Sequence, residues 1–486
     1  MPLIVTIGIV LRVVLVIGIA WQIIGSDKEP DVQVFWLVFI PLFPIIGLIM
    51  YCLTGINYRR EEVRERLHGR PLKLFGEQIT PAMEATLFPD SLQEQVEPRY
   101  RPLAELLRRC GNGNRVYAHN SFEIITSGLR KRELLLEDIR RARKFIHIEY
   151  FRFGNDRAGQ EVRDLLLQKV AEGVEVRFIN NNMIGRDIPR SYFRNMRKGG
   201  IEVQPYTHAR YGLRTWLMRI NCQNHRKIVV IDGTVAYTGG MNLNDNYFYK
   251  WRDTHLRVVG PVIARMQASF IDTWVGNGGR LSHPLPYYFD IPETGEAEAP
   301  FRDKVMQVVT SAADYPWRCN QLGYEWVLEN ARDYVYIHTP YFIPPEPFLH
   351  ALKSAALRGV DVRVMLPKDV DTPFIGPANQ ALYRECLAAG VRIYERSGAF
   401  IHSKTLVSDD GLCIIGASNL DMRSFDINSE IDAFIYDREA ALFCKQLFLQ
   451  EEAGLLREWT LKEWQESFPW YKNVGSRIMR LGYRLL

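Results

Sequence analysis

His225-Arg226-Lys227-Ile228-Val229-Val230-Ile231-Asp232 and His402-Ser403-Lys404-Thr405-Leu406-Val407-Ser408-Asp409 are two copies of one pattern, His-x-Lys followed five residues later by Asp, in a chain of 486 residues. The likeness runs on past each Asp. Gly239-Gly240-Met241-Asn242 follows the first copy and Gly416-Ala417-Ser418-Asn419 the second, at the same spacing. Farther on, a carboxylate stands 28 residues after each His, Asp253 and Glu430. A single triplet of this kind recurs by accident; two copies that agree out to a shared acid do not.

The residue types suit one chemistry. A phosphodiester is anionic and repels nucleophiles, so cleaving it near neutral pH takes a nucleophile, an acid for the departing alkoxide and cations for the developing charge. One neutral imidazole can attack phosphorus while a protonated one gives its proton to the leaving oxygen. Lys227, Lys404, Asn242 and Asn419 are then the holders of the non-bridging oxygens. Alternation places His and Lys of each copy on one face of a strand that runs on into an apolar stretch, and both heads into one cleft. Asp253 and Glu430 are expected each to orient one imidazole by accepting its second N–H. Asp232 and Asp409 complete the catalytic motif, but at strand ends, where a turn begins, they read as mainly structural. A metal site built on Cys222 and His225 has no further ligand at suitable spacing, and the lysines oppose a cation, so no metal and no cofactor is expected.

The constellation resembles the phospholipase D superfamily, over most of residues 115 to 455. The run Asn419-Leu420-Asp421-Met422-Arg423-Ser424-Phe425-Asp426-Ile427-Asn428-Ser429-Glu430 is similar to the bacterial cardiolipin synthases rather than to phospholipases or nucleases. The first copy departs from it: Asn242-Leu243-Asn244-Asp245-Asn246-Tyr247 lacks the Arg-Ser, and Gly240 stands where a serine is common. The resemblance implies a membrane phosphatidyltransferase that joins two phosphatidylglycerols into cardiolipin and releases glycerol through a phosphatidyl-histidine, with His225 as nucleophile and His402 as acid, then base. The near symmetry of the two sets does not itself choose between the histidines. A hydrolytic phospholipase D, a membrane-tethered nuclease and a non-catalytic scaffold are the rivals; intact His, Lys and Asn in both copies oppose the last.

Composition bounds these readings. A net charge of +5 suggests mild attraction to anionic surfaces and does not single out nucleic acid. Seven scattered cysteines without a C-x-x-C pair argue against a disulfide framework and for a reducing compartment. Pro2 to Ile24 is 23 residues with one charge, Arg12, and Val32 to Leu53 is 22 residues with none. Each is long enough to cross a bilayer, so a tight transmembrane hairpin is expected. Arg59, Arg60, Arg64, Arg66 and Arg70 follow it and put the bulk of the chain on the cytoplasmic side of a bacterial inner membrane. Apolar residues directly after Met1 and the lack of a small-residue cleavage site argue against a cleaved signal peptide.

An internal repeat organises the rest. Strand-like Arg115 to Ile125, a helical Glu133 to Lys144 and the strand from Phe145 are answered by Lys304 to Thr310, a helix near Tyr324 to Arg332 and the strand from Tyr334. Gly173 to Phe178 matches Gly359 to Val364, and Gly200 to Val203 matches Gly390 to Ile393. The expected fold is α/β: residues 1–56 a transmembrane hairpin, 57–113 a connector, 114–290 and 291–458 two phospholipase D-like sandwiches about a pseudo-twofold axis, and 459–486 an amphipathic segment. An insert near 207–221 either borders the lipid entrance or is an ordinary loop. Trp464, Trp470 and Tyr471 suit a membrane interface, with a helix docked on the domain as the alternative.

Overall fold

The structure, a computed structural model, describes residues 16–26, 30–54, 95–110, 113–181, 188–206, 222–296, 298–313, 315–372, 375–451 and 453–468, together with Val14 and 474–475. Most of the connector, its arginine-rich flank, the insert near 207–221 and most of the C-terminal segment lie outside them.

Among the described residues seventeen strands are interspersed with helices. The first half contributes β1 (Val116–Ile125), β2 (Phe145–Tyr150), β3 (Glu175–Asn180), β4 (Glu202–Pro205), β5 (Lys227–Ile231), β6 (Val235–Gly239) and β7 (His255–Val259). The second contributes β8 (Phe301–Ser311), β9 (Tyr334–His338), β10 (Phe342–Ile343), β11 (Asp361–Pro367), β12 (Arg392–Arg396), β13 (Thr405–Ser408), β14 (Leu412–Gly416), β15 (Leu420–Asp421), β16 (Glu430–Ile435) and β17 (Leu456–Trp459). The repeat read from the sequence is therefore a repeat of strands. Its recurring glycines have a backbone reason: Gly173, Gly200, Gly359 and Gly390 all sit at positive φ where a helix ends before the next strand.

The halves do not form separate sheets. Fifteen strands make one sheet in the order β17-β12-β11-β9-β13-β14-β16-β8-β1-β7-β6-β5-β2-β3-β4. Read outward from the central antiparallel β8–β1 pair, β16, β14, β13, β9, β11 and β12 answer β7, β6, β5, β2, β3 and β4. Helices cover both faces, so β5, β6, β13 and β14 are buried at every position and their polar residues lie mostly at their ends. Helices Ile263–Gly276 and Arg438–Leu449 share one core that draws on both halves, including Ile228, Ala236, Ile415 and Ala433.

At the N-terminus, residues 16–24 are helical, followed by helices Pro30–Leu42 and Pro44–Thr54. The second expected span is thus two short helices, because Pro44 lacks the amide that would continue the ladder. No helix among the described residues is long and apolar enough to cross a membrane. A small core of Ile19, Ile23, Trp36, Ile40 and Tyr51 ties these helices together.

One expectation at the other end is corrected. Trp464 does not face a membrane interface: it is 3% exposed, on the helix Leu461–Ser467, stacked on Phe468 and packed against Tyr383 and Trp459. Thr460 caps that helix in a reciprocal box with Glu463, so the chain turns back onto the domain.

Candidate active site

Strand direction gathers the site. β5, β6 and β7 run antiparallel to their neighbours, so the start of β5, the end of β6 and the start of β7 lie at one end of the sheet. His225, Asn242 and Asp253 flank those three ends, and His402, Asn419 and Glu430 flank the matching ends of β13, β14 and β16. Each histidine lies two or three residues ahead of its strand, in a segment that crosses to the other half, rather than within the strand. His225 N–H donates to Ser429 O at 2.9 Å, and His402 N–H to Arg252 O at 2.7 Å. Ser429 N–H returns to Gln223 O and Arg252 N–H to Phe400 O, so each imidazole is pinned by backbone across the seam.

The orienting acids are exchanged between the halves. His225 Nδ1 lies 2.9 Å from Glu430 Oε2, and His402 Nδ1 lies 2.7 Å from Asp253 Oδ2. Each half carries the carboxylate that holds the other half's histidine, and neither dyad is complete within one copy. With Nδ1 bound, the reactive nitrogen of each ring is Nε2. Among the described residues Nε2 of His225 has no protein partner, whereas Nε2 of His402 lies 3.1 Å from Lys404 Nζ and 3.4 Å from the Tyr247 hydroxyl. Asp253 also explains Gly240: a Cβ there would collide with the Asp253 carboxylate, so the position common to a serine is closed in this copy.

All six groups are buried, and burial sets their charges. Desolvation, with the lysines adding to it, holds both imidazoles well below the usual histidine range, so they are neutral in the empty site. Desolvation brings Lys227 down to about 7 and Lys404 down to about 8, and raises Asp253 and Glu430 to about 7. Four groups poised near neutrality around two neutral rings make a pocket that an entering anion would charge. Asn242 Oδ1 accepts Arg152 N–H at 3.0 Å; its Nδ2 makes no hydrogen bond of good geometry, although the Tyr247 hydroxyl is near. Asn419 Oδ1 is likewise buried without a partner, and turning that amide over presents its NH2 instead.

Asp232 and Asp409, counted with the catalytic motif, stand at the far end of their strands, seven residues and thus roughly 20 Å along from each His. Asp232 accepts the backbone N–H groups of Arg143, Lys144 and Phe145; Asp409 accepts those of Arg332, Asp333 and Tyr334. Both sit at positive φ, fixing the turn and its neighbouring strand start. They touch no reacting atom, so within the motif their part is structural.

Two residues of the site went unnoticed in the sequence. Lys131, fully buried on the helix Gly128–Arg141, donates to Met241 O at 2.7 Å and so holds the residue before Asn242. Its counterpart Asn320 donates to the Ser418 hydroxyl before Asn419. Tyr247 lies on a π-turn, Asn246–Lys250, edge-on to His402 at 5.1 Å between ring centres. Lys131 lies outside the duplicated motif, and Tyr247 closes the run in which the first copy departs from the second. Among the described residues no group of three or more His, Cys, Asp or Glu is placed to hold a metal ion.

Comparison with known proteins bears on family and fold. A family model described as "Cardiolipin synthase, PLD-like domain" matches residues 135–274 and 326–451. The major cardiolipin synthase ClsA of Bacillus subtilis is 33% identical over 484 residues, covering 98% of this chain and 98% of that protein. Cardiolipin synthase 2 of Staphylococcus epidermidis is 34% identical over 428 residues, 86% of this chain and 85% of that one. Among solved structures, the phosphatidylserine synthase of Haemophilus influenzae superposes with a TM-score of 0.59 at 14% identity, over 79% of this chain and 100% of that one, a likeness of fold. With the family model spanning more than half its length and relatives this similar almost end to end, the chain belongs to the phospholipase D-like cardiolipin synthase family.

Proposed function

We propose that this protein is a membrane-bound phosphatidyltransferase that makes cardiolipin from two phosphatidylglycerols and releases glycerol. The observation that carries the reading is the exchange of orienting acids. It ties two buried His-Lys-Asn sets together closely enough that the lysine of each acts on the histidine of the other, an arrangement suited to a single phosphodiester.

In the proposed sequence His225 Nε2 attacks phosphorus with its lone pair, and the P–O bond to the glycerol headgroup breaks. His402 gives its Nε2 proton to the departing alkoxide. The His225 Nε2, which has no hydrogen-bond partner among the described residues, supports that choice of nucleophile, as does family precedent. Lys227, Lys404, Asn242 and Asn419 hold the non-bridging oxygens, and the incoming anion favours the protonated form of His402 that the empty site disfavours. The phosphatidyl-histidine keeps the bond energy, so no nucleotide is spent. His402 next takes the proton of the second lipid's primary hydroxyl, whose oxygen attacks phosphorus as the P–N bond breaks. Water as acceptor would give phosphatidic acid instead.

A lipid substrate calls for a membrane. Trp21, Leu42, Phe43, Ile45 and Ile46 are exposed apolar side chains on the N-terminal helices, a surface that water disfavours. The helices Pro30–Leu42 and Pro44–Thr54 fold back on each other, with the Trp36 and Tyr51 rings 5.3 Å apart, so their outward apolar side chains suit a pair embedded in the bilayer. The arginines between 57 and 70 support a cytoplasmic placement of the catalytic halves. Purified protein in phosphatidylglycerol vesicles, with products resolved by mass spectrometry, tests the reading: cardiolipin and glycerol in equal amounts support it, and phosphatidic acid alone replaces it with a hydrolase. Labelled lipid trapped on His402→Ala and absent from His225→Ala fixes the roles, and the opposite pattern reverses them.

A further inference from the structure

The acceptor in such a transfer differs from water in one respect that matters electrostatically: it carries its own phosphate. While the phosphatidyl group occupies the pocket between the histidines, the attacking hydroxyl belongs to a second anion. Its phosphorus stands three carbons away, roughly 6 Å at ordinary bond lengths of about 1.5 Å. The two lysines and two asparagines are engaged with the first phosphate. A second cation at about that remove is required if the acceptor is to be held rather than repelled.

Arg152 is the cation placed at the edge of the two sets, close enough for its charge to act on both histidines. It follows β2 directly, and its backbone is welded to the phosphate-binding turn: Arg152 N–H donates to Asn242 Oδ1 at 3.0 Å, and Leu243 N–H donates to Arg152 O at 3.3 Å. Its guanidinium carbon lies 5.9 Å from the centre of the Phe151 ring, which is itself edge-on to His225 at 4.5 Å and carries Lys227 Nζ at 5.3 Å. One ring thus separates the guanidinium from the attacking imidazole. The charge of Arg152 reaches both His225 and His402, as well as Tyr341 across the cleft. Arg152 is exposed, and among the described residues no carboxylate pairs with it. Asp371, which faces the same cleft, is taken by the Tyr341 hydroxyl at 2.6 Å. An unpaired guanidinium at the rim of an anion pocket, held by the residue that lines that pocket, is placed for a phosphodiester oxygen.

We propose that Arg152 forms the binding subsite for the phosphate of the acceptor lipid and so favours transfer to an anionic lipid over transfer to water or a neutral alcohol. The proposal rests on the transferase reading above. Its test compares two acceptors on one enzyme in phosphatidylglycerol vesicles: cardiolipin formation, where the acceptor has a phosphate, and exchange of isotopically labelled glycerol into phosphatidylglycerol, where it has none. Arg152→Gln is expected to lower cardiolipin formation about tenfold more than it lowers glycerol exchange, the loss of one charge-assisted contact, and to raise the share of phosphatidic acid. Arg152→Lys should recover part of the difference. Equal losses in the two reactions, or no loss in either, overturn the subsite, the first by assigning Arg152 to the donor phosphate or the imidazoles. If the unaltered protein performs neither reaction, the transferase reading itself has failed, an outcome distinct from both.

Discussion

Lys227→Met should make the empty protein more stable while removing its activity. Lys227 is wholly buried, and desolvation brings its ammonium down from 10.5 to about 7. At about 1.4 kcal/mol per pKa unit, a shift of that size corresponds to about 5 kcal/mol of differential interaction between its two protonation states. The sign follows from linkage: between pH 7 and about 10.5 the unfolded chain holds a proton on this lysine that the folded one has released, so stability rises with pH across that window and the full penalty stands below it. Methionine has similar length, no charge, and a thioether that suits the neighbouring Phe151 ring. Part of the gain is offset, because Lys227 is the foremost group holding Glu430 down; without it Glu430 takes a proton more readily. A net stabilisation of about 2–4 kcal/mol at pH 7 remains, a rise in Tm of roughly 3 °C or more.

The assay is thermal unfolding of detergent-solubilised protein in phosphate-free buffer, with inorganic phosphate added in a second series. Phosphate should stabilise the wild type by about 2.7 kcal/mol at a hundredfold excess over its Kd, seen as a higher Tm, and should do little for the variant. Turnover should fall by about two to three powers of ten, the loss of one charge-stabilising donor in a dry site. A variant that melts at or below the wild type in phosphate-free buffer at pH 7 would refute the reasoning, since Lys227 would then be a stabilising partner of Glu430 rather than a desolvated cation waiting for an anion.

Three further outcomes follow from the same geometry. Glu430→Gln should impair His225 and Asp253→Asn should impair His402, each by roughly 10²–10⁴ in kcat, so that labelled lipid accumulates on the Asp253 variant and not on the Glu430 variant; the reverse pattern would show that the acids serve their own halves. Asp409→Ala should cost about 2–3 kcal/mol through the three backbone N–H groups it leaves unpaired, read by urea unfolding, with kcat of the folded protein within about threefold of wild type. Lys131→Met should lower kcat about tenfold, because the turn that carries Asn242 loses its tether to Met241 O, while the protein becomes no less stable, since burial holds this ammonium well below its usual range as it does that of Lys227; steady-state kinetics beside a melting curve separates the two effects.

The candidate site residues were legible because the duplicated pattern fixes residue type and spacing together. Two histidines, two lysines, two asparagines and two acids stand at matched offsets, and the structure gathers these eight around one end of the sheet. What the offsets could not carry was partnership. Asp253 and Glu430 lie 28 residues after their own histidines, yet each binds the histidine of the other copy, because residues 223–225 pair with 429 while 252 pairs with 400–402 across the seam. Spacing along a chain is silent about which copy a side chain faces once two copies interlock. The fused sheet was hidden for a related reason: β1 and β8 read as ordinary strands, and nothing in either marks the other as its partner. Trp464 misled in the opposite way, since an indole in a basic, amphipathic stretch suits a membrane interface and a packed core equally well, and only Tyr383, Trp459 and Phe468 around it decide.

Interlocking has a functional consequence of its own. A single copy would leave its histidine without an orienting acid and its carboxylate buried without a ring to hold, a penalty of about 1–3 kcal/mol for the orphaned group before any chemistry is lost. Duplication within one chain removes that risk, because β8 and β1 join the halves edge to edge and helices Ile263–Gly276 and Arg438–Leu449 share one core beneath them. It also frees the copies to diverge. At the position of Lys131 the second half has Asn320, and beside it Asp432 accepts the N–H groups of Ala417 and Ser418 where the first half has a neutral, buried His255. The first copy thus carries a lysine behind Asp253 and the second an extra carboxylate near Glu430. Two otherwise matched histidines therefore work against unlike backgrounds, which is what one ring acting as nucleophile and the other as acid requires.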